Sequence, residues 1–188
     1  SAGHERLAVL ISRAEAAIAA REFDDALATL GRLDETGMDM EPDLELRALL
    51  AQATARSELG QIEQALTLLE GARDLVDVDS FTDVDRANVL FHIGQCRYRL
   101  SSIPTATALF TEALELMRNS EAVDDRLRSR ILRWRSRCYR RQSDWEAARS
   151  DVEAALELSE RLGAGAALAH GYFQASIIAE RKGQWVLA

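Results

Sequence analysis

Apolar residues along this chain recur at helical spacing, and runs alternating at strand spacing are absent. Leu46, Leu49, Leu50 and Ala53 mark one helix face, and Ile62, Ala65, Leu66 and Leu69 mark a second a short turn later. The pattern predicts helices over 4–20, 24–36, 42–59, 62–77, 81–100, 103–118, 122–142, 145–161 and 164–182, with another starting at 185. Over it runs a phrase that returns five times, a bulky apolar residue three positions before an alanine. It reads Phe23…Ala26, Ile62…Ala65, Ile103…Ala106, Trp145…Ala148 and Trp185…Ala188, with alanines 39, 41, 42 and 40 residues apart. A nearly constant period filled with helices predicts an all-α fold, an α-solenoid of stacked helical hairpins in place of one closed core.

The phrase has a physical reason. Two helices folded back on each other approach most closely near their connection, where only a small side chain fits, and the bulky residue covers the end of that contact. The turns carry residues suited to them: Gly60, Ser101-Ser102 ahead of Pro104, Ser143-Asp144 (either an N-cap for the next helix) and Gly183. Gly163-Ala164-Gly165 follows a helix and lacks the lysine of a phosphate loop, so it reads as a turn between units.

These positions resemble the tetratricopeptide repeat. Small residues stand at the eighth position of each unit (Ala14, Ala53, Gly94, Ser136, Ser176), followed by the turn, the bulky residue and the alanine. An apolar residue comes four beyond (Leu30, Leu69, Phe110, Val152), then a small or apolar one (Leu33, Ala72, Ala113, Ala155). The likeness covers nearly the whole chain as one repeat domain, 1–188, with units at about 4–40, 41–79, 80–120 and 121–162 and a partial unit at 163–188. It departs from the family in its period, near 40 instead of ~34 residues, and in lacking the closing proline. A HEAT or armadillo array fits the length but not the phrase. The resemblance implies a right-handed superhelix whose first helices line a concave groove. The chain stops within the second helix of the fifth unit without a polar cap, so the expectation is a fragment of a longer protein, with apolar surface at that end open to self-association.

Composition narrows the function classes. The net charge of −8 argues against a general nucleic-acid binder. The charge is polarised: residues 1–120 hold 11 basic and 21 acidic side chains, a balance of −10, and residues 121–188 hold 12 and 10, a balance of +2. Among the basic residues only Lys182 is lysine, which leans towards a GC-rich bacterial source. Cys96 and Cys138 fall at the same position of successive units, on neighbouring helices ~8–10 Å apart, too far for a disulfide. Both read as reduced, in a cytoplasmic protein. No segment reads as a leader or a membrane span. His4, His92 and His170 share no ligand spacing, so no metal is expected. No cofactor loop and no nucleophile with a base at motif spacing occur, so the chain reads as a binding protein and not an enzyme.

The strongest anomaly is the helix 125–141, where eight arginines fall within 16 residues. Arg130, Arg133, Arg137 and Arg140, spaced 3, 4 and 3 apart, form one stripe. The resemblance puts them at groove-facing positions, flanked by Asn88, Phe91, Gln95 and Tyr98 of the preceding unit and by His170 and Phe173 of the next. Such a strip suits an acidic or carboxylate-bearing protein segment. Two other readings stand beside it. The arginines are solvated or paired with Asp144, Glu146, Asp151 or Glu153, or they contact RNA. At the level of the whole protein the expectation is a protein–protein interaction scaffold, with a regulatory module of a larger bacterial signalling or transcription protein as the alternative.

Overall fold

In a computed structural model, residues 2–34, 39–77, 80–120 and 124–181 are described. They form nine α-helices, each within a few residues of its predicted bounds, and no strand occurs among them. The predicted start at 185, with Trp185 and Ala188, lies outside the described residues. The chain divides into two compact units, Ser1–Thr82 and Asp83–Ala188.

The first unit holds α1 (Ala2–Ala19), α2 (Phe23–Asp34), α3 (Pro42–Glu58) and α4 (Ile62–Val76). Leu7, Ile11 and Ala14 of α1 pack on Ala26, Leu30 and Leu33 of α2 and on Ala48, Ala51 and Ala55 of α3. Arg47 of α3 clasps Glu15 of α1 through two bonds of 3.0 and 2.7 Å and reaches Ser12 at 3.2 Å, holding these two first helices side by side.

The second unit holds α5 (Asp83–Arg99), α6 (Ile103–Asn119), α7 (Asp125–Arg141), α8 (Trp145–Arg161) and α9 (Gly165–Arg181). Its largest core joins Phe91 of α5 to Phe110 and Ala113 of α6 and to Leu127, Ile131 and Cys138 of α7. The alanine of every described turn phrase, Ala26, Ala65, Ala106 and Ala148, has no exposed surface. That is the close approach the spacing implied. The small eighth residues Ala14, Ala53, Gly94 and Ser136 are buried too, whereas Ser176 is exposed. Gly94 is a necessity of packing: a Cβ there would stand 2.6 Å from the Phe110 ring. Cys96 and Cys138 are buried and are not joined in a disulfide.

Candidate partner-binding face

Helix α7 starts where the Asp124 carboxylate accepts the Leu127 N–H at 2.9 Å. Its faces then divide by neighbour. Leu127, Ile131 and Cys138 enter the core shared with α5 and α6. Ser129 bonds Ser159 of α8 at 3.0 Å. Arg135 points to the opposite side from the stripe, where Asp151 of α8 takes its guanidinium at 2.8 and 2.7 Å and Thr111 of α6 takes a third bond at 3.2 Å. Burial pulls the Arg135 guanidinium down, but the bond and charge of Asp151 outweigh it and raise it. Arg130, Arg133, Arg137 and Arg140 occupy the remaining arc.

Among the described residues none of those four touches a carboxylate. Three of the four acids the sequence offered as partners are engaged elsewhere. Asp151 holds Arg135, Glu153 holds Arg149 at 2.9 Å, and Asp144 caps α8 by accepting the Ala147 N–H at 3.1 Å. What the stripe meets is aromatic and neutral. The Arg130 guanidinium lies 4.7 Å over the Phe91 ring, and that of Arg137 lies 4.6 Å over Trp134. Arg137 also bonds His170 of α9 at 2.9 Å, and Arg140 donates to the Gln174 side-chain oxygen. The Arg133 Nε is buried without a hydrogen-bond partner. Burial first, then the charges of Arg130 and Arg137, push the Arg133 guanidinium below its ordinary value. Arg130 and Arg137 are lowered as well, burial again leading. A guanidinium is not deprotonated in proteins, so the stripe is cationic.

The flanking residues fall into distinct roles. Phe91 is fully buried, so it bears on a partner only through the arginine it carries. Tyr98 meets Trp134 edge-on at 5.4 Å and lies under Arg141 at 5.7 Å. Asn88 and Gln95 are half-buried on α5, and their side chains bond nothing among the described residues. Phe173 is 60% exposed, beside Tyr172 at 57%, so α9 offers apolar surface next to the stripe. Sequence reasoning missed Gln174, which stands one helical turn after His170, and left the place of Trp134 open. On the other side of α7 lies a cleft of about 480 Å³ between α6 and α8, but its lining mixes Glu115 and Glu157 with Arg118 and Arg128 over Leu114, Leu132 and Leu158. Unlike that cleft, the stripe presents one sign of charge.

Comparison with solved structures gives the fold. PlcR of Bacillus thuringiensis, solved in complex with the peptide PapR7 and DNA, matches with a TM-score of 0.82 at 12% identity, over 95% of this chain. A Podosopora anserina protein of nearly identical TPR-like repeats matches at 0.69 and 13% identity, over 96% of this chain and 88% of that one. YrrB, described as a TPR protein with an unusual peptide-binding site, matches at 0.52 and 17% identity, over 94% of this chain and 77% of that one. The fold is that of the tetratricopeptide-repeat proteins. This tetratricopeptide-like chain spans 64% of the length of PlcR. No protein-family model matches it, and no curated protein matches its sequence. No described helix is long and apolar enough to cross a membrane.

Proposed function

We propose that the chain is a protein-interaction module that holds an acidic protein segment against the α5–α7–α9 face, anchored by Arg130, Arg133, Arg137 and Arg140. One observation carries the reading. Four guanidiniums line one face with no carboxylate in contact, Arg133, Arg137 and Arg140 half-buried and Arg130 exposed within the field of Asp124, while Arg135 and Arg149 on the same unit have each found one. A partly buried cation without a counter-charge is unfavourable unless a ligand supplies it. The rings of Phe91 and Trp134 cover guanidinium faces and leave N–H edges for carboxylates. Tyr98 and the exposed Phe173 supply apolar contact on either side. PlcR, solved in complex with a peptide, and YrrB, described as having a peptide-binding site, support the reading of a peptide partner.

The test is capture of partners from source-cell lysate by wild type and by Arg133→Glu/Arg137→Glu, both shown folded by circular dichroism. Affinity for the captured segment is then measured. Losing two charge-assisted contacts at ~1.5 kcal/mol each lowers affinity about 100-fold or more. Equal binding by both proteins rejects the site, and recovery of RNA in place of protein assigns the strip to nucleic acid.

A second reading, a regulatory module within a larger protein, draws on PlcR, a longer chain solved with both a peptide and DNA. Sequence flanking residues 1–188 that encodes an effector domain would favour it.

A further inference from the structure

His170 stands on α9 beside the middle of the arginine stripe, and its hydrogen bonds define its protonation. Its Nε2 meets Arg137 Nη2 at 2.9 Å and the Gln174 side-chain nitrogen at 3.4 Å. A guanidinium only donates, so Nε2 is the bare nitrogen and the ring proton sits on Nδ1. The Gln174 orientation agrees, because its oxygen takes Arg140 and turns its nitrogen towards the ring. Helix α9 thus closes the stripe with neutral acceptors, which satisfy single N–H groups and cancel no charge.

The surroundings of the ring are one-sided. Arg133, Arg137 and Arg140 face it from α7, and Gln174 faces it from its own helix. Helix α8, which also packs on α9, places Glu160 on the Tyr172 hydroxyl at 3.0 Å. Tyr172 is two residues from His170, about 200° around the helix. No carboxylate among the described residues touches the imidazole. Burial, and then the charges of Arg137, Arg133 and Arg140, hold His170 below the usual histidine value.

We propose that His170 is a proton-dependent contact to the acidic segment: a ligand carboxylate seated on Arg133 and Arg137 replaces the Arg137–His170 bond, and the imidazole takes up a proton from solvent at Nε2, keeps it, and donates that N–H as a hydrogen bond to the same carboxylate. This rests on the α5–α7–α9 face being the acidic-segment site. The sign follows from the charges. In the free protein three arginines disfavour the imidazolium, whereas in the complex the ligand offsets them and accepts its N–H. The pKa is therefore higher bound than free. Between the two values binding consumes a proton, and affinity rises as pH falls. Below the free value both states are protonated and the gain stops.

The experiment is calorimetric titration of the whole chain with N-acetyl hexaglutamate amide at about pH 6, in two buffers of different ionisation enthalpy, followed by a pH series down from about 7.5. Wild type takes up a fraction of a proton, at most one, and gains about 3- to 10-fold in affinity per pH unit in the responsive window. His170→Gln, which keeps a neutral acceptor, binds with the high-pH affinity, takes up no proton and shows a flat profile. The His170 ring resonances, followed by NMR, titrate at higher pH with the peptide bound than without it. Binding by wild type without proton uptake, or a slope retained in His170→Gln, overturns this inference and leaves the groove reading intact. Absence of binding at every pH overturns both.

Discussion

Each described hairpin turn closes on one residue in the left-handed region: Arg21 at φ 66°, Gly60 at 81°, Ser101 at 60° and Ser143 at 63°. The hydrogen bonds repeat with them. The next N–H reaches five residues back (Glu22 to Ala17, Gln61 to Arg56, Ser102 to Arg97, Asp144 to Tyr139), and the turn residue itself reaches three back. This is the Schellman closure of a helix end. Only Gly60 is the residue that adopts it without a Cβ clash; elsewhere the strain is about 1 kcal/mol. Ser143→Gly is therefore expected to raise unfolding free energy by about 0.5 kcal/mol net of glycine's greater unfolded-state entropy. Gly60→Ala is expected to lower it by about 1 kcal/mol. Nothing lies within 4 Å of a Cβ at Gly60, so that loss isolates backbone strain. Urea denaturation with unchanged m-values checks both. The turn positions were legible from the alanine phrase, but positive φ at Arg21, Ser101 and Ser143 was not, because those residue types do not require it. Packing of the paired helices imposes it.

At the scale of elements, the ion pair between α7 and α8 differs in kind from the stripe. Asp151 is 5% exposed, and burial pushes its carboxyl up against the pull of Arg135. Removing the arginine leaves that charge buried and alone, so Arg135→Met should lose about 3–5 kcal/mol at neutral pH. Its pH dependence is expected to run against the usual carboxylate direction. Without Arg135 the folded-state pKa of Asp151 lies well above the unfolded value, so the folded chain binds the extra proton. The penalty grows as pH rises through that window and shrinks as pH falls towards about 4. Arg135→Met/Asp151→Leu should recover most of the loss, and thermal melts across pH distinguish the three proteins. The 3, 4, 3 spacing that defines the stripe does not include Arg135. Which α8 residue stands opposite it was not legible, since sequence spacing orders residues around one helix and not across two. For the same reason Asp151 was offered to the stripe, and Gln174, which lines it, went unnoticed.

At the scale of the molecule, periodicity revealed the hairpins and their bounds, because one small residue per unit repeats wherever two helices touch. It did not reveal that the chain gathers into two compact units, Ser1–Thr82 and Asp83–Ala188. Each closes cores of its own: Leu7, Ile11, Leu30 and Ala51 in the first, Phe91, Phe110 and Ile131 in the second. In repeat arrays stability is a sum of local terms and nearest-neighbour terms, so damage stays near its source. Gly94 gives the means to test this. A valine there drives branched methyls into the Phe110 ring, itself fully buried and unable to swing away, at a cost of about 1–3 kcal/mol. The expected outcome of hydrogen exchange on Gly94→Val is loss of protection of about 5- to 100-fold in α5, α6 and α7. Protection in α1 to α4 should stay within about twofold of wild type. An equal loss across all helices would mean that the two units unfold as one, and that the strain at Gly94 is shared by the whole chain.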